Sequence, residues 1–107
     1  MLAGRAVGIA GLGYEVPARR VTNQWFTRYI ETSDEWIVQR TGIRERRWLD
    51  DGEKPSDLFV AAGGKALQDA GVAPADVDLV VVATVTGDFQ GVPAAASLVQ
   101  DRLGCSR

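Results

Sequence analysis

The chain alternates short apolar runs with polar stretches punctuated by glycine and proline, and the spacing within each run assigns an element to it. Residues 6–12 are an apolar run followed by Gly13 and Pro17, which predicts a first strand, with Arg19 and Arg20 in the loop beyond. Thr22 or Asn23 can cap a short helix through Ile30. Thr32-Ser33-Asp34-Glu35 then has the spacing of a capping box for a second helix, which Gly42 stops after Thr41. A polar loop over residues 50–55 leads to Ser56 as an N-cap, with Asp57 in the first turn, where a carboxylate favours the helix dipole. Phe59, Ala62, Ala66 and Ala70 recur three and four residues apart and form one apolar stripe on a helix ending near Gly71. Gly63 and Gly64 each cost about 1 kcal/mol there relative to alanine, so either another backbone packs closely against them or they are simply tolerated. Residues 79–83 are unbroken apolar sequence with three consecutive valines, which predicts a strand covered on both faces. Pro93 starts a last helix through Leu103, ended by Gly104.

Strand, helices, strand and helix in that order are the opening of an α/β fold with parallel core strands and right-handed crossover helices. A two-stranded parallel sheet cannot cover both faces of the valine run. The pattern therefore predicts an incomplete domain, residues 1–107 forming one unit whose remaining layers lie beyond Arg107. No internal repeat, low-complexity tract or linker divides it.

Composition narrows the function classes. Of the 107 residues, 46% are hydrophobic and 24% charged, which argues against disorder and coiled coils, and the net charge of -2 implies no strong attraction to nucleic acid or an anionic membrane. The apolar stretch over residues 2–12 carries Arg5 and several glycines and is far too short to span a bilayer. Cys105 is the only cysteine, so no intrachain disulfide forms, and a reducing, cytoplasmic setting is expected. The chain has no histidine, which excludes a Ser-His-Asp or Cys-His centre built from this chain alone and leaves too few soft ligands for zinc; no metal site is expected.

Two segments have the look of ligand motifs. Gly8-Ile9-Ala10-Gly11-Leu12-Gly13 is rich in glycine, but its spacing is G-x-x-G-x-G and Pro17 follows, so it fails the dinucleotide fingerprint. The segment over residues 31–47 is more informative. On a helix Thr32, Trp36 and Arg40 are four residues apart and line one face, where an indole can stack on a base and a guanidinium can meet phosphate oxygens. Spacing alone favours the plainer arrangement, a tryptophan packed into the core with Arg40 covering it. Arg44, Arg46 and Arg47 could meet phosphates or an acidic protein, although a solvated, salt-bridged surface is commoner for such a run.

Read as a whole, Thr32-Ser33-Asp34-Glu35-Trp36-Ile37 followed by Arg40-Thr41-Gly42-Ile43 and Glu45-Arg46 resembles a long ungapped signature of the β-ketoacyl-[acyl carrier protein] synthase III family. The resemblance extends along the chain through Gly11-Leu12-Gly13-Tyr14, Pro17, Ser56-Asp57-Leu58, residues 80–84, Asp88 and Pro93, and corresponds to the family's amino-terminal third. It implies a thiolase-like fold, a homodimer, and condensation of an acyl-coenzyme A primer with malonyl-acyl carrier protein, with the coenzyme A thioester as substrate and no other cofactor. It further implies that Thr32, Trp36, Arg40 and Thr41 line the coenzyme A site, and that Val92, with Phe89 nearby, belongs to a loop that closes the acyl pocket across the dimer. The family's catalytic cysteine, histidine and asparagine have no counterpart here. Cys105 directly follows the helix end at Leu103-Gly104, whereas the family's nucleophile lies further along, after one more strand, so no catalytic residue is assigned to this chain. Gly87 stands where the family often has proline and Val92 where an aromatic is frequent, which leaves the primer open. A related starter enzyme of polyketide or other secondary metabolism, and a non-catalytic binding module, are the alternatives.

Overall fold

The chain divides into two compact units, Val16–Glu53 and the combination of Met1–Glu15 with Lys54–Arg107. The computed structural model describes residues 4–106, so the first residues of the 2–12 run lie outside the described residues.

In Val16–Glu53, strand β1 (Arg19–Thr22) pairs antiparallel with β2 (Glu45–Trp48), Val21 lying opposite Arg46 and Arg20 opposite Arg47. Helices α1 (Asn23–Phe26) and α2 (Asp34–Thr41) fill the connection. Neither strand is legible as one in the sequence, because only Val21 of β1 points inward, at 2% exposure, while its neighbours face water. Two of the three arginines expected as a solvated run, Arg46 and Arg47, instead bond the backbone beside the hairpin. Arg46 donates to the Val21 carbonyl at 3.3 Å, and Arg47 donates to the carbonyls of Pro17 and Ala18 at 3.0 and 3.2 Å.

Asn23 is the centre of this unit and is fully buried. Its Nδ2 donates to Asp34 Oδ1 and to the Ile43 carbonyl, both at 2.8 Å, and its Oδ1 accepts from Arg46 at 2.7 Å. Both amide protons and the amide oxygen are thereby used, which is the condition for burying such a group without penalty. Around it Trp25 packs on Phe26, Tyr29 and Trp48 at ring-centroid distances of 5.1, 4.7 and 5.4 Å. The helix expected through Ile30 ends at Phe26, and turns continue to Ile30, whose N–H reaches the Phe26 carbonyl at 3.0 Å. Helix α2 keeps its expected end: Gly42 closes it in the left-handed region, φ 71°.

The other unit is built on α3 (Pro55–Ala70) and α4 (Ala95–Leu103), with a 3-10 turn over Pro74–Asp76. Helix α3 begins two residues earlier than expected. Lys54 is its N-cap, Pro55 its first residue, and Ser56 lies inside the first turn, 2% exposed. Helix α4 starts at Ala95 rather than at Pro93 and ends, as expected, at Gly104.

The two runs expected as parallel core strands, 6–12 and 79–83, have no ladder partner among the described residues, where the only sheet is the antiparallel β1–β2 pair. Hydrophobic patterning reports which side chains seek cover; a strand also needs a neighbour's N–H and C=O groups in register. The 79–83 run is covered on one face only: Val80 and Val82 are half-buried, whereas Leu79 and Val81 are 77% and 79% exposed. An apolar groove of about 450 Å³ lies open beside it, lined in part by Ile9, Ala66, Leu67, Val77, Leu79 and Leu103.

The glycine-rich stretch has a packing role. A Cβ on Gly11 would stand 2.6 Å from the Ala66 carbonyl oxygen and the Ala70 nitrogen, and one on Gly13 would meet the backbone of Ala62 and Ala66. The alanine stripe of α3 thus receives the 11–13 backbone directly, which only residues without a side chain allow. Gly63 is explained the same way, though by a side chain and not by another backbone: its Cβ would lie 3.0 Å from Leu103 of α4.

Candidate functional site

Ser33 caps α2, its hydroxyl accepting from the Trp36 N–H at 3.1 Å, one residue later than Thr32 would. Thr32 therefore precedes the helix and does not continue the helical row of Trp36 and Arg40. Its hydroxyl oxygen is buried without a hydrogen-bond partner. Trp36 and Arg40 do come together. The guanidinium carbon of Arg40 lies 4.6 Å from the centroid of the Trp36 ring, one helical turn away.

The core placement that spacing favours for Trp36 is overturned, since the residue is 52% exposed and α2 has no buried residue. Only Arg40's cover over the ring is as expected. Asp34, Asn23 and Arg46 fasten the start of α2 by polar contacts, and its half-buried side chains include Ile37 and Val38 but not Trp36. Thr41, at the other end, donates its hydroxyl to the Ile37 carbonyl at 2.7 Å and accepts from the Ile43 N–H at 3.0 Å, leaving one lone pair for a further donor. An exposed indole with a cation against it can take a flat, anionic ligand.

The second group of expected site residues lies in the other unit. Phe89 and Val92 are 50% and 87% exposed on the loop before α4. That loop is held by Asp88, whose carboxylate accepts from the Ser56 N–H at 2.8 Å and from the Ser56 hydroxyl. The Ser56 oxygen in turn accepts from Arg102 at 2.9 Å, and Arg102 pairs with Asp57 at 2.9 Å. The hydrogen bond from the Lys54 N–H, and next the Arg102 guanidinium, hold the Asp57 carboxyl below its ordinary value of 3.8. Sequence reading missed this chain of contacts, because Ser56, Asp88 and Arg102 are too far apart for any local period. Cys105 is buried, 8% exposed, with its N–H on the Gln100 carbonyl at 3.0 Å. Among the described residues no cluster of potential metal ligands forms and no helix is long and apolar enough to cross a membrane.

No protein-family model matches the chain. Curated proteins do: β-ketoacyl-[acyl-carrier-protein] synthase III of Staphylococcus aureus and of Staphylococcus epidermidis are each 46% identical over 101 residues, 94% of this chain and 32% of theirs. The chain thus spans about a third of the length of the curated relatives it matches. Among solved structures, the 3-oxoacyl-[acyl-carrier-protein] synthase III of Aquifex aeolicus is 38% identical with a TM-score of 0.82 over 90% of this chain and 30% of that one. The Thermus thermophilus β-ketoacyl-[acyl-carrier-protein] synthase III is 47% identical with a TM-score of 0.81, over 92% of this chain and 30% of that one. The priming β-ketosynthase of the R1128 polyketide pathway is 39% identical with a TM-score of 0.83, over the same shares. These likenesses bear out the partial thiolase-like fold expected from the sequence. Over the third of their length that it spans, the chain shares both the sequence and the fold of the β-ketoacyl-[acyl-carrier-protein] synthase III proteins.

Proposed function

We propose that this chain is the coenzyme A-gripping part of a β-ketoacyl-[acyl-carrier-protein] synthase III that condenses an acyl-coenzyme A primer with malonyl-acyl carrier protein at the start of fatty-acid synthesis. The observation that carries the reading is the exposed Trp36 with Arg40 stacked on it, in a chain 46% identical to synthases of that name. The indole offers the adenine a stacking surface and the guanidinium offers the phosphates paired donors, while Thr32 and Thr41 supply hydroxyls on either side of them. The unpartnered Thr32 oxygen fits a group that acquires its partner from a ligand.

The condensation needs a nucleophilic thiolate, which takes the acyl group and releases coenzyme A, and groups that hold the oxyanion as malonyl decarboxylation supplies the carbanion. Without a histidine this chain leaves those steps to the rest of the enzyme, and Cys105 takes no part in them. The complete enzyme works as a homodimer in the cytoplasm with no further cofactor. A second reading, priming of a polyketide, is favoured by the 39% identity to the R1128 priming ketosynthase and by Val92, which leaves more room for a primer than an aromatic does.

The test compares the 107-residue chain with the complete enzyme, each given acetyl-coenzyme A and malonyl-acyl carrier protein. Only the complete enzyme should form β-ketoacyl-acyl carrier protein and carbon dioxide, with Cys105→Ser fully active. Condensation by the isolated chain, abolished in Cys105→Ser, would overturn the assignment.

A further inference from the structure

We infer that Asp88 is a positioning residue for primer choice: with Ser56 and Arg102 it fixes the loop that carries Phe89 and Val92. The inference rests on the reading above, in which those two side chains border the acyl group. Val92 is 87% and Phe89 50% exposed, so their own packing does little to fix the loop. Asp88, next to Phe89 in sequence, uses both carboxylate oxygens on Ser56, one on the N–H at 2.8 Å and one on the hydroxyl. Ser56 is 2% exposed, in the first turn of α3. Its oxygen is shared with Arg102, near the end of α4, and Arg102 also grips Asp57 at 2.9 Å. The loop is thereby referred to two helices at once.

The geometry makes the carboxylate hard to replace. Two donors converge on it, and an amide in its place keeps one acceptor while turning an NH₂ toward the other donor. Loss of the anchor would let Phe89 and Val92 drift, and displacements of the order of an ångström at a substrate-bordering group are enough to change rates by about a hundredfold.

The experiment uses the complete enzyme and four variants, Asp88→Asn, Asp88→Ala, Phe89→Ala and Val92→Phe, with the ratio of kcat/KM for acetyl-coenzyme A to that for a longer, branched acyl-coenzyme A as the readout. Asp88→Asn and Asp88→Ala should each move this ratio by about tenfold, and malonyl-acyl carrier protein KM should stay unchanged. Hydrogen exchange of the Ser56 amide should quicken in both. If Phe89→Ala and Val92→Phe move the ratio and the Asp88 variants do not, the loop borders the primer but Asp88 does not set it, and the inference fails. If none of the four moves it, the acyl-pocket reading itself fails. A fall in melting temperature at unchanged ratio would make Asp88 merely structural and also overturn the proposal; Ser56→Ala, which keeps the N–H bond to Asp88, guards against misreading a folding defect and should shift the ratio less.

Discussion

The two units differ in how they hold together. Val16–Glu53 closes on itself through a short ladder, arginines on backbone carbonyls, the fully satisfied Asn23 and the aromatic cluster about Trp25. The unit of α3 and α4 has a polar network of its own through Asp88, Ser56, Arg102 and Asp57, but leaves its apolar rows open, with Val7, Ile9, Leu79, Val81 and Val85 between 77% and 102% exposed. Apolar side chains in rows of this kind need a covering layer. Satisfied hydrogen bonds and a few packed rings can hold a small region of chain together, whereas a sheet face needs the rest of the sheet. The candidate ligand surface is found on the self-sufficient unit, where a side chain such as Trp36 can remain exposed without weakening the fold.

The comparison can be broken most severely at Asn23. Asn23→Ala leaves the Asp34 carboxylate, the Ile43 carbonyl and Arg46 without their shared partner, and should cost about 3 kcal/mol or more. The near-ultraviolet circular dichroism of the Trp25 and Trp48 cluster should collapse with it; a spectrum like that of the parent would show that the hydrogen bonds are not what closes the unit. Gly13→Ala probes the other unit by forcing a methyl group into the backbone of α3, and about 1 to 3 kcal/mol of destabilisation is expected in a denaturant titration. Unchanged stability there would mean the 11–13 stretch does not rest on α3.

Asp57 should give a smaller, pH-dependent effect. Its carboxyl is held below 3.8 by the Lys54 N–H and Arg102, so the folded state prefers the ionised form. That contribution is fully present above pH 3.8 and is lost as the pH falls through the lower, folded value. With each side chain roughly half exposed, the pair should be weakened by salt. Melts of Asp57→Asn should show a flatter dependence on acid than the parent; parallel curves would remove the pair from the account.

Much of this was legible in the sequence. The run from Thr32 to Arg46 carries the family likeness, and the ends of α2, α3 and α4 follow from Gly42, Gly71 and Gly104. What escaped depends on distant partners. Asn23 reads locally as a cap, yet Ile43 and Arg46 make it a buried hub. Arg46 and Arg47 read as a solvated run, because nothing in their own spacing names the carbonyls they reach. Ser56 reads as the N-cap of α3, whereas Asp88 draws it into the first turn. The exposure of Trp36 is not legible from spacing, since an aromatic in a helical row usually packs inward; the family resemblance, which puts Trp36 at the coenzyme A site, is what points to it.

The central claim is that Trp36 and Arg40 are a ligand grip and no part of the core, and acyl-coenzyme A titration of the complete enzyme tests it most directly. Trp36→Ala should leave the melting temperature nearly unchanged and weaken the primer by about 1 to 3 kcal/mol, to a similar extent at low and high salt. Arg40→Ala should also weaken it, with a shallower salt dependence of what affinity remains. A sharp fall in melting temperature for Trp36→Ala, with primer affinity of the folded enzyme unchanged, would contradict the account.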